Sequence, residues 1–547
     1  KKASQKQLSH FEIYQRIWLG LNQLGIFNPD SFDLPTEISP EVTYQYFSEN
    51  SNYKIINLWS LIDEDRDFLE KSGLSLAHLE LMGQDNPDLE EIYINSFNSG
   101  NNDLYFHKGK NFRNEIGIRM NRKAGTYFQD SIIETGYMYL PCPTTGQVLR
   151  SNQSFACHYP HPEIPLGNYP IFIYRFCCLE VFYLVCAVTP TGDKSFLYFP
   201  SRELAITFVP DSTCPVNQQK IINILKANLV SRWSLVKSYI SSPKEKDVLA
   251  VLGYMANIGH YVLNDMSGLQ HLLDNQTLSQ IASFFIGDFE FFNIDDTYPE
   301  IQSQIIRSQS ATLFETILEN NYLAVWPTNW FISEDLSRRI YEGSVKRCSL
   351  NILQAIEDSK QHFPLIWIAI RSHYRVWLSQ VEGIANIINK LYEDYPNLAV
   401  VFDGWGRHEM YDPRAESEIK RETTIVEEIL ALVHTDIKAY NLIGNMSYER
   451  VAWVQAIDFY ISPFGSGLTF PILIANKPGV IHAHGVYAQM FQTGEWSPFI
   501  RENLTESIFL PADYTEDKHF GFANYDISWQ KVYDATIKLL NSKAKLS

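Results

Sequence analysis

A glycine-rich segment late in the chain has the composition of a phosphate-binding turn. Residues 462–469, SPFGSGLT, follow an apolar run and precede a helical pattern. Glycine lets the backbone approach a ligand closely, and free N–H groups at a helix N-terminus bind anions. The residues expected to contact the ligand are Gly465, Ser466, Gly467 and Thr469. A tight strand-to-helix turn without a ligand is the alternative.

Two arginines follow a second apolar run, residues 365–370. A guanidinium group is a planar fork that can pair two phosphate oxygens at once. We therefore expect Arg371 and Arg375 to bind a diphosphate. Pairing of both arginines with surface carboxylates is the alternative.

A histidine with polar neighbours follows a third apolar run, residues 248–254. A histidine oriented by an acid about one helical turn away can remove a proton from a hydroxyl group. We predict that His260 is this base, that Asp265 is its partner and that Asn257 contacts the acceptor of the reaction. Asn264 is an alternative partner, and a purely structural histidine is the alternative function.

Aromatic and acidic side chains near other predicted strand ends could contact a sugar. The indole rings of Trp326 and Trp330 would suit a carbohydrate platform. Asp403 follows the apolar run 398–402 and could accept a hydrogen bond from a ribose hydroxyl. The alternatives are core packing for the two tryptophans and a solvated turn for Asp403.

Apolar runs and helical patterns alternate between residues 364 and 482. The predicted strands are residues 365–370, 398–402, 437–440, 459–461 and 479–481. This alternation predicts a parallel sheet with right-handed crossovers, a Rossmann-like domain. Ligands bind such sheets beyond the carboxyl ends of the strands, where the arginines and the glycine-rich segment fall.

Changes in pattern divide the chain into four segments. Residues 1–100 are mainly helical, and residues 101–215 form a β-rich module of short β-branched and aromatic runs. Residues 216–345 are predicted to form a first Rossmann-like domain, on the acceptor side. Residues 346–547 are predicted to form a second, nucleotide-binding one that ends in a crossover helix. The expected fold class is α/β, with the paired domains of GT-B glycosyltransferases.

Composition excludes several classes of function. The 547 residues include 63 acidic and 45 basic side chains, a formal net charge of -18. This charge disfavours nonspecific binding to nucleic acid or anionic lipid, so no nucleic-acid partner is expected. No apolar run is long enough to predict a transmembrane segment. Seven cysteines are too few for a disulfide scaffold and favour a reducing compartment, so we expect a cytoplasmic protein, free or peripherally attached to a membrane.

Four residues superficially suggest a zinc site, namely Cys142, Cys157, His158 and His161. No Cys-x-x-Cys pair supports such a site, so ordinary core cysteines and surface histidines are favoured instead. We therefore predict no bound metal.

In these motifs the chain resembles glycosyltransferase family 61, over roughly residues 246–485. That family carries an Asn-x-x-His-aromatic motif with a nearby acid, an Arg-rich segment after the first strand of the second domain, and a His-Gly-Ala-Gly-Leu-Thr-Asn loop. Residues 257–265, 371–375 and 464–470 correspond to these motifs here. The first and last residues of the loop are phenylalanine in this chain instead of His and Asn.

The resemblance implies a GT-B fold and transfer of a sugar from a nucleotide diphosphate to an acceptor hydroxyl, in polysaccharide or glycoconjugate biosynthesis. The donor, with a UDP-sugar as the first candidate, would bind mainly to the second domain, and the acceptor would be a glycan or glycoconjugate. The reaction would need no metal and no separate cofactor, and it would invert the anomeric carbon. His260 would take the acceptor proton, while the arginines and the helix start would stabilise the leaving diphosphate.

Two other functions are considered. A catalytically inactive scaffold that binds a glycan or a protein would fit the altered loop and the large N-terminal part. A Rossmann oxidoreductase is disfavoured because the Gly-x-Gly pattern follows the fourth strand and lacks a third glycine and a following acid at the expected separation. The sequence does not indicate an oligomeric state.

Overall fold

The computed structural model describes residues 9–25, 34, 37–83, 127–160, 168–186, 194–208, 217–494, 499–518 and 523–544. The chain groups into two compact units. Unit 1 comprises Lys1–Ala256, Gly268–Asp288 and Gln304–Asn329, and unit 2 comprises Asn257–Ser267, Phe289–Ser303 and Trp330–Ser547. The predicted segment 216–345 therefore contributes to both units. Most importantly, the His260 motif belongs to the same unit as the arginines and the glycine-rich segment.

Unit 1 contains a six-stranded sheet and a separate hairpin. The strands are β1 (Lys54–Asn57), β2 (Met138–Pro141), β3 (Val148–Ser151), β4 (Ser154–Pro160), β5 (Asn168–Cys177), β6 (Val181–Cys186), β7 (Lys194–Phe199) and β8 (Leu204–Thr207). The sheet order is β1-β8-β7-β6-β5-β4, antiparallel except for the pair β1–β8, and β2 pairs with β3. The described residues of the predicted β-rich module include strands β2 to β8, whereas residues 101–126, 161–167, 187–193 and 209–215 of that module lie outside the described residues. Strand β1 comes from the segment predicted to be mainly helical.

A second sheet in unit 1 has four parallel strands. They are β9 (Asp247–Leu252), β10 (Ser283–Ile286), β11 (Ile305–Arg307) and β12 (Tyr322–Val325). Their order is β11-β10-β9-β12, the order of a Rossmann-like half-domain. All residues of β9 after the first are buried, as expected for a strand that is covered on both faces.

Unit 2 contains a six-stranded, fully parallel sheet. Its strands are β13 (Leu365–Ala369), β14 (Ala399–Asp403), β15 (Lys438–Asn441), β16 (Phe459–Pro463), β17 (Gly479–His482) and β18 (Ile508–Phe509), and β19 (Thr515–Lys518) and β20 (Asn524–Ile527) form a hairpin beside it. The order β15-β14-β13-β16-β17-β18 is that of a doubly wound Rossmann sheet. The α/β fold class with two Rossmann-like sheets is thereby confirmed, and all five predicted strands of this sheet are present.

The helices of the first part of the described chain are α1 (His10–Leu21), α2 (Pro40–Asn50), α3 (Asp63–Lys71), α4 (Leu76–Gly83), α5 (Tyr127–Thr135), α6 (Gln218–Ser231), α7 (Trp233–Ser241), α8 (Ile258–His260) and α9 (Ser267–Asp274). Those that follow are α10 (Ile294–Thr297), α11 (Leu313–Glu319), α12 (Glu334–Arg347), α13 (Leu350–Ser359), α14 (Gln380–Asp394), α15 (Pro413–Leu432), α16 (Ser447–Val454), α17 (Gly485–Gln492) and α18 (Trp529–Ala544). In unit 2, α14 packs against α15 and α18, and their apolar faces join the strand side chains in one core. The packing of these helices against the strands holds the sheet in place. It thereby positions the polar residues that follow each strand.

Within the described residues, no helix is long and apolar enough to cross a bilayer. The same residues contain no group of three or more His, Cys, Asp and Glu side chains placed to hold a metal ion. Of the zinc candidates, Cys142 and Cys157 are buried, and the His158 imidazole stacks on Tyr254 with ring centroids 4.9 Å apart. His161 lies outside the described residues.

Gly479, at the start of β17, has no room for a side chain. A Cβ there would lie 2.4 Å from the ring of Tyr460, which is fully buried on the adjacent strand. We expect Gly479→Ala to lower the free energy of unfolding by about 1–3 kcal/mol, as overpacking of a core does. Denaturant unfolding measures this loss. Gly25→Ala is the control, because no described atom lies within 4 Å of a Cβ at that position; equal losses in both variants would contradict the prediction.

Candidate functional site

The centre of the six-stranded sheet has the geometry of a ligand-binding crevice. Strands β13 and β16 are neighbours, and the strand order continues away from them in opposite directions. In open parallel sheets, ligands bind beyond the carboxyl ends of the strands at this switch point. Arg371 lies just after β13 and Gly465 lies just after β16, so both belong to the crevice.

The guanidinium group of Arg371 lies against the backbone of Gly465. A Cβ at position 465 would lie 2.7 Å from both terminal nitrogens of the guanidinium, so glycine is needed for this close approach. The side chain of Gln380 holds the Arg371 backbone, accepting from its N–H at 3.3 Å and donating to its carbonyl at 2.7 Å. Burial, followed by the proximity of Arg375, lowers the pKa of Arg371 to about 10. The side chain therefore still carries its charge at neutral pH.

Arg375 is held by aromatic rings. Its backbone φ is 55°, in the left-handed region, and its guanidinium carbon lies 4.3 Å from the ring centroid of Tyr487. The ring centroids of Tyr374 and Phe464 lie 5.1 and 5.4 Å away. Cation–π contacts of this kind fix a guanidinium without neutralising its charge. Phe464 is thus part of the wall around Arg375.

Neither arginine has an acidic partner in the described part of the chain: no carboxylate there lies within ion-pair distance of Arg371 or Arg375. Glu422 acts electrostatically on Arg371, but burial raises the pKa of Glu422 to about 8, so this carboxyl group is mostly protonated at neutral pH. Among the described residues, the structure therefore does not show the alternative considered above, in which both arginines pair with surface carboxylates. Two partly buried positive charges without a counter-charge favour the binding of an anion.

The glycine-rich segment adds hydrogen-bond donors beside these charges. A 3-10 turn, Ser466–Thr469, directly follows Gly465 and starts the helical region. The first N–H groups of a helix have no acceptor within that helix, and here they belong to Ser466 and Gly467. A Cβ at Gly467 would meet no described atom within 4 Å, so there is open space next to these donors. The arrangement is the one that binds phosphate oxygens.

The His260 motif packs on the same turn. A Cβ at Gly259 in α8 would lie 3.4 Å from Oγ1 of the buried Thr469, so the two segments are in direct contact. Each segment then continues as a π-helical turn, a rare conformation that is frequent at functional sites. These two turns are Tyr261–Met266 and Phe470–Ile474. Segments that are about two hundred residues apart in sequence are thereby joined in one site.

Two asparagines position His260. Asn257 caps α8, because its Oδ1 accepts hydrogen bonds from the N–H groups of Gly259 (2.8 Å) and His260 (3.3 Å). Asn264 Oδ1 lies 3.1 Å from His260 Nδ1. When the Asn264 oxygen accepts, the imidazole proton lies on Nδ1, and Nε2 is the nitrogen that could take a proton. The structure therefore supports Asn264 as an orienting partner of His260.

The remaining predicted residues near His260 are buried. Asp265 lies in the π-helical turn directly after Asn264. The Trp330 indole is edge-on to the His260 imidazole with ring centroids 5.7 Å apart, whereas Trp326 belongs to unit 1. The two indoles are only 4% and 2% exposed, so their burial fits core packing, the alternative to an exposed sugar platform.

Asp403 has a partner within the protein. Its carboxylate is 1% exposed and accepts a hydrogen bond from Arg450 Nε at 2.7 Å. Arg450 also donates to the carbonyl of Gly404 at 2.8 Å, so this ion pair fastens α16 to the end of β14. The structure therefore places Asp403 in a buried ion pair and not in a solvated turn.

A buried pair of acids near Arg371 was not predicted from the sequence. Ser372 Oγ donates to Glu418 Oε2 at 2.7 Å and to Glu422 Oε1 at 3.2 Å. The backbone N–H of Trp405 donates to Glu422 Oε2 at 2.6 Å. The two glutamates are one helical turn apart on α15, but that helix also carries exposed glutamates. Their spacing alone could not distinguish them from a solvated helix face.

The fold and the site together define an α/β protein with a doubly wound sheet and two arginines at its switch point. No protein-family model and no curated protein matches the chain. Solved structures match it in part. A glycosyl transferase family 9 protein from Veillonella parvula has 12% sequence identity and a TM-score of 0.34, covering 55% of this chain and 100% of that chain.

Two further solved structures show similarity of the same order. The ADP-heptose LPS heptosyltransferase II of E. coli has 11% identity and a TM-score of 0.30, covering 54% of this chain and 99% of that chain. MnaA of S. aureus, in a structure with UDP, has 14% identity and a TM-score of 0.22, covering 56% and 71%. Because these similarities are low, the fold class rests on the strand order described above.

The raised pKa of Glu422 predicts a pH-dependent stability. A carboxyl group with a folded-state pKa above its unfolded value stabilises the fold fully at low pH, and this contribution is lost as pH rises toward the folded pKa. Between pH 5 and 8 the wild type should lose up to about 1.4 kcal/mol per pH unit relative to Glu422→Gln. Thermal unfolding of both proteins across this range measures the difference.

The exposed Glu428, on the same helix, provides the matched control for this prediction. Glu428→Gln should keep the pH profile of the wild type. A constant difference in stability between Glu422→Gln and the wild type from pH 5 to 8 would show that Glu422 does not titrate there.

Proposed function

We propose that the protein is a glycosyltransferase that moves a sugar from a nucleotide diphosphate donor to an acceptor hydroxyl group. One observation carries the proposal: Arg371 and Arg375 lie at the switch point without acidic partners, beside the N–H donors of the glycine-rich helix start. A diphosphate fits this arrangement because its two anionic groups can each pair with a guanidinium group and accept from backbone N–H groups.

The contact between the His260 motif and the glycine-rich turn supplies the second half of the reaction. His260, oriented by Asn264, removes the proton of the acceptor hydroxyl. The acceptor oxygen bonds to the anomeric carbon while the bond from that carbon to the diphosphate oxygen breaks. Arg371 and Arg375 stabilise the charge that develops on the departing diphosphate. Asp265, buried next to Asn264, belongs to the proposed catalytic group as a positioning residue.

Further features of the reaction follow from this mechanism and are part of the proposal. A single displacement by the acceptor oxygen inverts the anomeric carbon. The arginines supply the positive charge that a divalent cation supplies at other diphosphate sites, so the proposed reaction is metal-independent. We propose a UDP-sugar donor and a glycan or glycoconjugate acceptor, in polysaccharide biosynthesis in the cytoplasm. The motifs at residues 257–265, 371–375 and 464–470 favour family 61.

A second candidate is an inactive scaffold that binds a glycan or protein through the same fold. The observation that favours it is Phe464, which packs beside Arg375 at the position where the family 61 loop has a histidine. A scaffold of this kind needs neither nucleotide binding nor a base at position 260. Measurements of binding and of turnover therefore separate the two candidates.

Nucleotide binding tests the diphosphate site. We expect one of the nucleoside diphosphates UDP, GDP or ADP to stabilise the wild type against heat, by about 2.7 kcal/mol at 100 times its dissociation constant. Arg371→Ala should weaken this binding about 10- to 100-fold, because hydrogen bonds to a charged group are lost. The exposed Arg338→Ala is the matched control and should bind like the wild type. Stabilisation by a glycan but by no nucleotide would favour the scaffold.

Transfer kinetics test the base. With the donor identified above, His260→Ala should lower kcat about 10²- to 10⁴-fold while the dissociation constant for the nucleotide stays unchanged. Asn264→Ala should lower kcat less, because it removes only the orienting hydrogen bond. The exposed His434→Ala serves as control. If His260→Ala lost nucleotide binding and kcat to the same extent, His260 would be a structural residue.

A further inference from the structure

Two cysteine side chains of unit 1 are in direct contact. The Sγ atoms of Cys142 and Cys178 lie 2.8 Å apart. A covalent disulfide has a sulfur–sulfur distance of about 2.05 Å, so the two atoms need to approach by less than about 1 Å to form one. The pair belongs to neither the switch-point crevice nor the His260 motif, and no step of the proposed transfer reaction uses it.

Tight turns hold both cysteines in place. Cys142 directly follows β2, and its N–H and carbonyl both make hydrogen bonds within the turn, to Gln147 O at 2.7 Å and from Gly146 N at 2.9 Å. Cys178 directly follows β5, and its N–H donates to Glu180 O at 3.1 Å. Backbone hydrogen bonds therefore fix both positions. The fold itself, and not the chance orientation of two flexible side chains, brings the sulfur atoms together.

The two thiols differ in exposure and in pKa, which gives them different roles in a stepwise thiol–disulfide exchange. Cys178 is partly exposed, whereas Cys142 is buried. Burial raises the pKa of Cys142, but hydrogen bonds with Cys178 and Thr145 more than offset this, so the pKa lies below the usual value of a thiol. The N–H of Thr145 lies 3.5 Å from Cys142 Sγ. The thiolate is the attacking form in disulfide exchange, so Cys142 is prepared for the second step. Burial and the hydrogen bond with Cys142 raise the pKa of Cys178, so the first attack, by the more exposed thiol, is the slower of the two steps.

The other described cysteines are placed differently. Burial raises the pKa of Cys157 to about 12 and that of Cys348 to about 11, which keeps both thiols protonated. Cys186 is buried within β6. Cys177 is exposed and offers a reactive thiol next to the pair. Cys214 lies outside the described residues.

We propose that Cys142 and Cys178 form a reversible intramolecular disulfide, with a low-molecular-weight disulfide such as oxidised glutathione as the oxidant. The Cys178 thiolate attacks the glutathione disulfide, forming a mixed disulfide and releasing one glutathione thiolate. The Cys142 thiolate then attacks the Cys178 sulfur, which forms the internal bond and releases the second glutathione. In total the protein loses two electrons and two protons, and oxidised glutathione is reduced to two molecules of glutathione.

The bond would tie together two parts of unit 1 that are 36 positions apart in sequence. It links the turn after β2 to the end of β5. A cross-link of this kind stabilises the native state mainly by restricting the unfolded chain. The oxidised protein is therefore expected to unfold at a temperature several degrees higher than the reduced protein.

The test oxidises the full chain with mixtures of oxidised and reduced glutathione, blocks the remaining thiols by alkylation and maps the peptides by mass spectrometry. The expected result is a peptide cross-linked through Cys142 and Cys178, with a loss of two free thiols and a higher unfolding temperature. Dithiothreitol should reverse all three changes. Glutathione attached to Cys178 without an internal bond, or an internal bond from Cys142 to Cys177, would overturn the proposal.

Two serine variants give this test a matched comparison. Cys178→Ser should abolish the cross-link and the rise in unfolding temperature, whereas Cys177→Ser, at the adjacent exposed position, should retain both. Circular dichroism of the reduced variants checks that each is folded. The wild-type peptide map decides the question on its own if Cys178→Ser is unfolded, because the cross-linked peptide is either present or absent.

Discussion

The uncompensated positive charge at the carboxyl edge of the six-stranded sheet is the interaction on which the rest of the site depends. Arg371 can lie there because Gly465 has no side chain, and Arg375 is held by aromatic rings that leave its charge intact. The nearby Glu422 is mostly protonated at neutral pH because burial raises its pKa to about 8. Uncompensated, partly buried positive charge of this kind favours the binding of an anion.

The strand order explains why these residues meet. Because the order reverses between β13 and β16, the segments after these two strands face the same crevice although about ninety residues separate them. In sequence, the His260 motif lies between β9 and β10 of unit 1, but Asn257–Ser267 is grouped with unit 2. Within unit 2, Gly259 packs against Thr469 of the glycine-rich segment. The arginines, the glycine-rich turn and His260 thus come from three separate parts of the chain.

The sequence predicted the elements that are buried on both faces better than those at the edges. Strands β13, β14 and β16 are buried along almost their whole length and consist mainly of apolar residues, a pattern that is visible locally in the sequence. Strand β18 has only two residues, and β1 depends on its pairing with β8, so no local pattern predicted either. In the β-rich module, the local sequence pattern predicted the antiparallel strands. It did not predict the parallel edge strand β1, because that strand comes from a distant part of the chain.

Residue types and spacing were sufficient to select three candidates. The arginines were selected by their charge, the glycine-rich turn by its backbone freedom and His260 by the chemistry of its imidazole, and each of these is a property of single residues. The tertiary structure decided the partner of each side chain. It pairs Asp403 with Arg450, places Asn264 at His260 and buries Trp330 beside it. Burial and distance arise from contacts between residues far apart in sequence. They set the charge of Glu422 and the closeness of Cys142 to Cys178, which residue spacing alone could not indicate.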